Sequence, residues 1–115
     1  MSDLSYLPCR LSGYPGSYVV TLLIAETHEL QPLFEEYGYI GNGYAWEGLL
    51  SLLINEQYNS LSESIEFDSE ADMLVVYLKT EAEQYKVAEI IRALYQDQYQ
   101  LRELIKVIDP DTLGC

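Results

Sequence analysis

The chain has 115 residues, 49% of them hydrophobic, and a formal charge of −13 from 19 acids against six bases. That length supports one domain, burying roughly two thirds of the surface its unfolded chain exposes without help from disulfides. The charge disfavours nucleic acid and anionic membrane as partners and makes a basic partner the natural complement.

No apolar stretch approaches the roughly 20 residues a membrane span requires. The opening MSDLSYLPCR carries Asp3 and no apolar core behind a basic start, so it does not resemble a secretory signal, and the cytoplasm is the expected location. Cys9 and Cys115 lie near opposite ends and have no partners at metal-ligand spacing, so free thiols are expected.

In chain order, LSYLPCRLSGYPGSYVVTLLIAE reads as two extended runs around a GYPG turn, where Pro15 fixes φ and Gly13 and Gly16 tolerate positive φ. The second run, residues 18–26, has only Thr21 polar between Tyr18 and Ala25, the pattern of a central strand covered on both faces. HELQPLFEEYG follows as a short helix candidate, with Pro32 in its first turn and Gly38 as a left-handed cap. A longer helix begins near Trp46, because Trp46, Leu49, Leu50, Leu53 and Ile54 form a continuous apolar stripe that ends near Tyr58 and Asn59.

SIEFD and MLVVYLK are the next two strands, joined as a hairpin through Ser69, Glu70, Ala71 and Asp72. Alternation puts Ile65 and Phe67 on one face of the first and Glu66 and Asp68 on the other. Thr80 and Glu83 form the capping box of a third helix, with Val87, Ile90, Ile91 and Leu94 on its buried side. Asp97 and Gln100 repeat that signature before a fourth, whose stripe is Leu101, Leu104, Ile105 and Ile108 and which Asp109 and Pro110 close. The order ββααββαα, with no repeat and no linker, predicts a single α+β domain over residues 1–115: an antiparallel or mixed sheet of about four strands packed with about four helices.

Catalytic chemistry is hard to place. His28 is the one histidine, no serine or cysteine sits in a nucleophile setting, and Gly38, Gly41 and Gly43 have the wrong spacing for a nucleotide loop. Acid pairs occur by chance among so many carboxylates, so an acid-pair hydrolase gains little support. Asp68, Glu70 and Asp72 mimic the opening of a calcium loop, but Met73 stands where it needs glycine and Lys79 where it needs glutamate. No catalytic residue, cofactor or metal site is assigned.

The informative features concern surface. Eleven acids between Arg10 and Lys79 face no Lys or Arg, and ESIEFDSEAD places five of them in ten positions: Glu63, Glu66, Asp68, Glu70 and Asp72. On a rigid strand and hairpin these make a fixed negative ridge; a solvated strand face that discourages edge pairing is the plainer reading. In YGYIGNGYAWEG, Gly38 can end one helix, Gly41, Asn42 and Gly43 can make a positive-φ corner, and Trp46 starts the next stripe, leaving Tyr39 and Tyr44 for a partner.

FEEYGYIGNGYAWEGLL and the later IEFDSEADMLVVYLKTEAE together resemble the immunity protein 51 family of bacterial polymorphic toxin systems, over roughly residues 18–108. The most specific parts are G-N-G-Y-x-W at Gly41, Asn42, Gly43, Tyr44 and Trp46, and F-D-x-E-A at Phe67, Asp68, Glu70 and Ala71; Asp72 stands where a glycine is more usual. The resemblance implies a cytoplasmic protein that binds and neutralises a cognate toxin domain with no catalysis of its own. Acidity makes that partner basic, with a nuclease the expected class, the ridge steering it and exposed tyrosines anchoring it. The alternative is a small-molecule or peptide-binding module with a pocket lined by Tyr39, Tyr44 and Trp46.

Overall fold

A computed structural model describes residues 6–58, 60–61 and 64–108. Strands β1 (Cys9–Tyr14) and β2 (Ser17–Leu23) form the first hairpin, turning through Pro15 and a Gly16 at φ 91°. A 3₁₀ segment (Ile24–Leu30) runs into the short helix α1 (Gln31–Glu35), which has Pro32 in its first turn. Gly38, at φ 82°, makes the corner that follows. Then come α2 (Gly43–Gln57), β3 (Glu66–Phe67), β4 (Met73–Leu78), α3 (Glu81–Gln96) and α4 (Gln98–Val107). The α+β expectation holds: one sheet in the order β1-β2-β4-β3, antiparallel at every pairing, carries the helices.

The helices gather on one side of the sheet. Register aligns Cys9 with Leu22 and Leu74, and Leu11 with Val20 and Val76. These residues share a core with Trp46, Leu49, Leu50, Leu53 and Ile54 of α2, Val87, Ile90, Ile91 and Leu94 of α3, and Leu101, Leu104 and Ile105 of α4. Every stripe read from helical spacing is therefore buried. Fully burying one such aliphatic side chain is worth roughly 1.5–3 kcal/mol.

Helix starts are set by side chains as the sequence indicates. The Thr80 hydroxyl accepts from the Glu83 N–H at 3.2 Å while the Glu83 carboxylate accepts from the Thr80 N–H at 3.1 Å. Asp97 accepts from the Gln100 N–H at 3.1 Å and so caps α4. Asp109 and Pro110, expected to close α4, lie outside the described residues, as does Asn59.

Three expectations are corrected. The strand read over residues 18–26 stops at Leu23, because Ile24, Ala25 and Glu26 already belong to the 3₁₀ segment. The single helix expected from HELQPLFEEYG is divided, since Thr27 at φ −116°, ψ 18° breaks the regular path and α1 starts only at Gln31. Most consequentially, β2 is central but among the described residues it is covered on one face only: Val20 and Leu22 enter the core, whereas Val19, Thr21 and Leu23 alternate to the other side and stay partly exposed. Its continuous apolar run reflects an uncovered sheet face that is itself apolar.

Candidate functional site

The acids of the second hairpin follow one pairing register. Glu66 pairs with Tyr77 and Phe67 with Val76; the Asp68 N–H donates to the Val75 carbonyl at 3.0 Å, and Glu70 bridges Met73. One register thus runs from Glu66 to the turn at Ala71 and Asp72. Glu66, Asp68 and Glu70, alternate residues of one extended segment, are all exposed, while Phe67 packs on the core. Regular strand geometry covers Glu66 and Phe67 and returns as a bridge at Glu70; between them the Val75 N–H donates to the Ser69 hydroxyl at 3.3 Å. Asp72 is exposed in the turn, and Glu63 lies outside the described residues.

Backbone hydrogen bonds hold this hairpin to the rest of the molecule. The Gly43 N–H, at the start of α2, donates to the Ala71 carbonyl at 3.1 Å, and the Ile24 N–H to the Asp72 carbonyl at 3.0 Å. The first of these satisfies one of the orphan donors of a helix N-terminus. The Asn42 side chain accepts from the Ala45 N–H at 2.9 Å and caps the helix. A Cβ on Gly43 would come closer than 3.0 Å to the carbonyl oxygens of Glu70 and Met73. No described residue other than glycine has positive φ, so Asp72 stands in the turn without the left-handed conformation that would have demanded glycine.

The positive-φ corner expected at Gly41, Asn42 and Gly43 is not formed. Among the described glycines only Gly13, Gly16 and Gly38 have positive φ, and Gly41 and Gly43 are needed for close approach instead. The Gln31 amide binds Gly41 on both sides: Nε2 donates to the Gly41 carbonyl at 2.7 Å and Oε1 accepts from its N–H at 3.0 Å. A Cβ on Gly41 would collide with Gln31 and the Phe34 ring. The two stretches that carry the family resemblance therefore meet, one as the seat and the other as the hairpin seated on it.

Trp46 is fully buried, with its ring centroid 6.0 Å from that of Phe34. It therefore cannot line a pocket open to a ligand, and the Tyr39, Tyr44 and Trp46 pocket is withdrawn. Tyr39 packs partly against the core, and Tyr44, 37% exposed, sits one residue beyond the contact between Gly43 and the hairpin turn. A shallow groove of about 620 Å³ opens where the 3₁₀ segment meets the hairpin turn, lined by Ile24, His28, Ile40, Ala71 and Asp72 among others. Ile40, 72% exposed at its lip, has no signal in sequence periodicity because it falls between two helices.

Sequence reasoning also missed the uncovered face of the sheet beside the acid column. There Tyr77, Val75 and Met73 of β4 stand next to Val19, Thr21 and Leu23 of β2 in matched rows. The signal lies in two strands with apolar residues at successive positions, of which only the run over residues 18–26 is expected from sequence to be covered on both faces.

Other reactive groups are quiet. Cys9 is buried, its Sγ 3.9 Å from the Ala88 carbonyl, and burial pushes its thiol up to about 12. Cys115 lies outside the described residues. Ser64, whose hydroxyl donates to Glu83 at 2.6 Å, and then Thr80 hold the Glu83 carboxyl below its ordinary value. Among the described residues no three His, Cys, Asp or Glu side chains are grouped to hold a metal ion, and no helix is long and apolar enough to cross a membrane.

Comparison with curated proteins and with solved structures gives no match. A family model described as Immunity protein 51 matches residues 9–110, a span that takes in the sheet, the Gly41–Trp46 seat and the acidic hairpin it holds. The chain belongs to the Immunity protein 51 family.

Proposed function

We propose that this immunity protein acts in the cytoplasm against a cognate toxin domain that is basic, a nuclease being the class that best suits its charge, and that it does so by occlusion without chemistry of its own. Family membership is the observation that carries the reading, since immunity proteins neutralise toxins. Its acidity supports the choice of a basic target: the net charge is −13, and Glu66, Asp68, Glu70 and Asp72 stand exposed on one ordered hairpin. A basic cleft that receives phosphate would meet a fixed row of carboxylates in place of its substrate. Tyr44, beside the hairpin turn, and the more buried Tyr39 are assigned to the margin of the contact.

Rim charges govern encounter more than residence, so the test is kinetic. The triple reversal Glu66→Lys, Asp68→Lys and Glu70→Lys is expected to slow association with the toxin domain about tenfold or more at low ionic strength and to flatten its dependence on salt. An unchanged association rate at low salt removes the steering role.

A further inference from the structure

We infer that the uncovered face of the sheet is the docking surface for the toxin, which would present to it an apolar patch bordered by Lys and Arg side chains. The inference rests on the functional reading above and names the surface that performs it. The helices lie behind the sheet, sharing their core with Val20, Leu22, Leu74, Val76 and Leu78. The residues that alternate with these form two outward columns, Val19, Thr21 and Leu23 on β2 and Met73, Val75 and Tyr77 on β4; Tyr77 is exposed, Val75 is buried at 9% exposure, and the other four are half-buried. An apolar face of this kind on an otherwise very acidic protein marks an interaction site.

Charge selects the occupant. One border of the face is the acid column: Glu66 completes the row of Ser12, Val19 and Tyr77, Asp68 follows opposite Val75, and Glu70 stands opposite Met73. On the other border Arg10 is held by Glu26 at 2.7 Å, which offsets its charge. A second copy of this chain would bring another −13 and another acid column against the first. A basic protein brings the complement, and the arrangement of an apolar centre inside a charged rim is the anatomy of a specific interface. Tyr77 is the expected anchor, being aromatic, 37% exposed and flanked by a hollow of about 210 Å³ lined by Gly16, Ser17, Glu66 and Lys79.

The probe is the cognate toxin domain, carried as an inactive variant and immobilised for binding kinetics. Tyr77→Ala is expected to weaken binding about 30-fold or more, chiefly through faster dissociation, and Thr21→Arg, which puts a cation and bulk at the centre, to weaken it at least as much. Tyr99→Ala, 75% exposed on α4 behind the sheet, should change it less than about threefold. Thermal melts of each variant confirm folding, and radical footprinting of the unaltered protein supplies a variant-free readout in which the complex protects Tyr77 and Met73. Tight binding by the parent with Tyr77→Ala and Thr21→Arg both within threefold, or a footprint that leaves Tyr77 and Met73 open, overturns the surface but not the function. No binding by the parent overturns the functional reading and this one with it. A parent dimer that Thr21→Arg dissociates, with toxin binding intact, gives the face to a second copy and also overturns the inference.

Discussion

Replacing Gly43 by alanine separates propensity from packing, because the two predict opposite signs. Gly43 is the first residue of α2, and alanine in a helix is favoured over glycine by up to about 1 kcal/mol. By that rule the variant gains stability. The structure reverses the expectation, since a Cβ at Gly43 falls within 3.0 Å of the carbonyl oxygens of Glu70 and Met73. Both are backbone atoms of a tight turn, so no side chain can swing aside; the hairpin has to lift from the start of α2. Overpacking of this kind costs about 1–3 kcal/mol. Lifting the hairpin also stretches the 3.1 Å bond from the Gly43 N–H to the Ala71 carbonyl, worth about 1 kcal/mol. After the helix propensity is credited, a net loss of about 1–3 kcal/mol remains, which for a domain of this size lowers Tm by about 4–12 °C. Thermal and urea unfolding followed by circular dichroism measure it. A Gly43→Ala protein as stable as its parent, or more so, refutes the account of how the hairpin is seated.

Three further outcomes follow from the same contacts. Gln31→Ala removes both hydrogen bonds to the buried Gly41 backbone, and a loss of about 1–3 kcal/mol in urea unfolding is expected. Glu83 has its carboxyl held below the ordinary 4.5, mainly by the Ser64 hydroxyl and then by Thr80, so its stabilisation is fully present above pH 4.5 and is lost as pH falls through the lowered value. Glu83→Gln keeps the capping geometry without the charge; its Tm should lie below the parent's near neutrality and converge with it in acid, and parallel pH profiles would contradict the assignment. The Cys9 thiol, buried and raised to about 12, should resist alkylation at pH 8 until the protein unfolds, which peptide mapping after brief labelling checks.

Much of the fold could be read from the chain because the local rules agree with the tertiary ones. Thr80 and Glu83 cap where a capping box should, and the stripes of α2, α3 and α4 bury the residues that helical spacing selects. The exposure of two acids was legible for a similar reason: alternation about Phe67, which packs on the core, puts Glu66 and Asp68 on the other side. What escaped depends on residues distant in sequence. Neither the contact of Gly43 with the Glu70 and Met73 carbonyls nor the clasp of Gln31 on Gly41 has a periodic signature, so both glycines were assigned to a turn conformation they do not adopt. Periodicity distinguishes a one-sided strand from a two-sided one only when the exposed side is polar, and on β2 that side holds Val19, Thr21 and Leu23.

A strand with apolar residues on both sides is expected where two layers cover it, and the described residues supply only one. Burying the outward residues would lower the free energy of the isolated protein, yet the chain spends its third and fourth helices on the same side as its second. Meanwhile Asn42, Gly43 and the Ala71 carbonyl fasten the acid-bearing hairpin to α2, and β4, through Met73, Val75 and Tyr77, continues that hairpin directly into the uncovered face. The rigid seat thus fixes the acid column relative to the apolar rows beside it. A column of charge that served only solubility would gain nothing from being held in register with the exposed Tyr77 and the half-buried Val19 and Met73. Steering followed by docking requires that registration, because a partner drawn in by the carboxylates must find the apolar rows at a set distance from them.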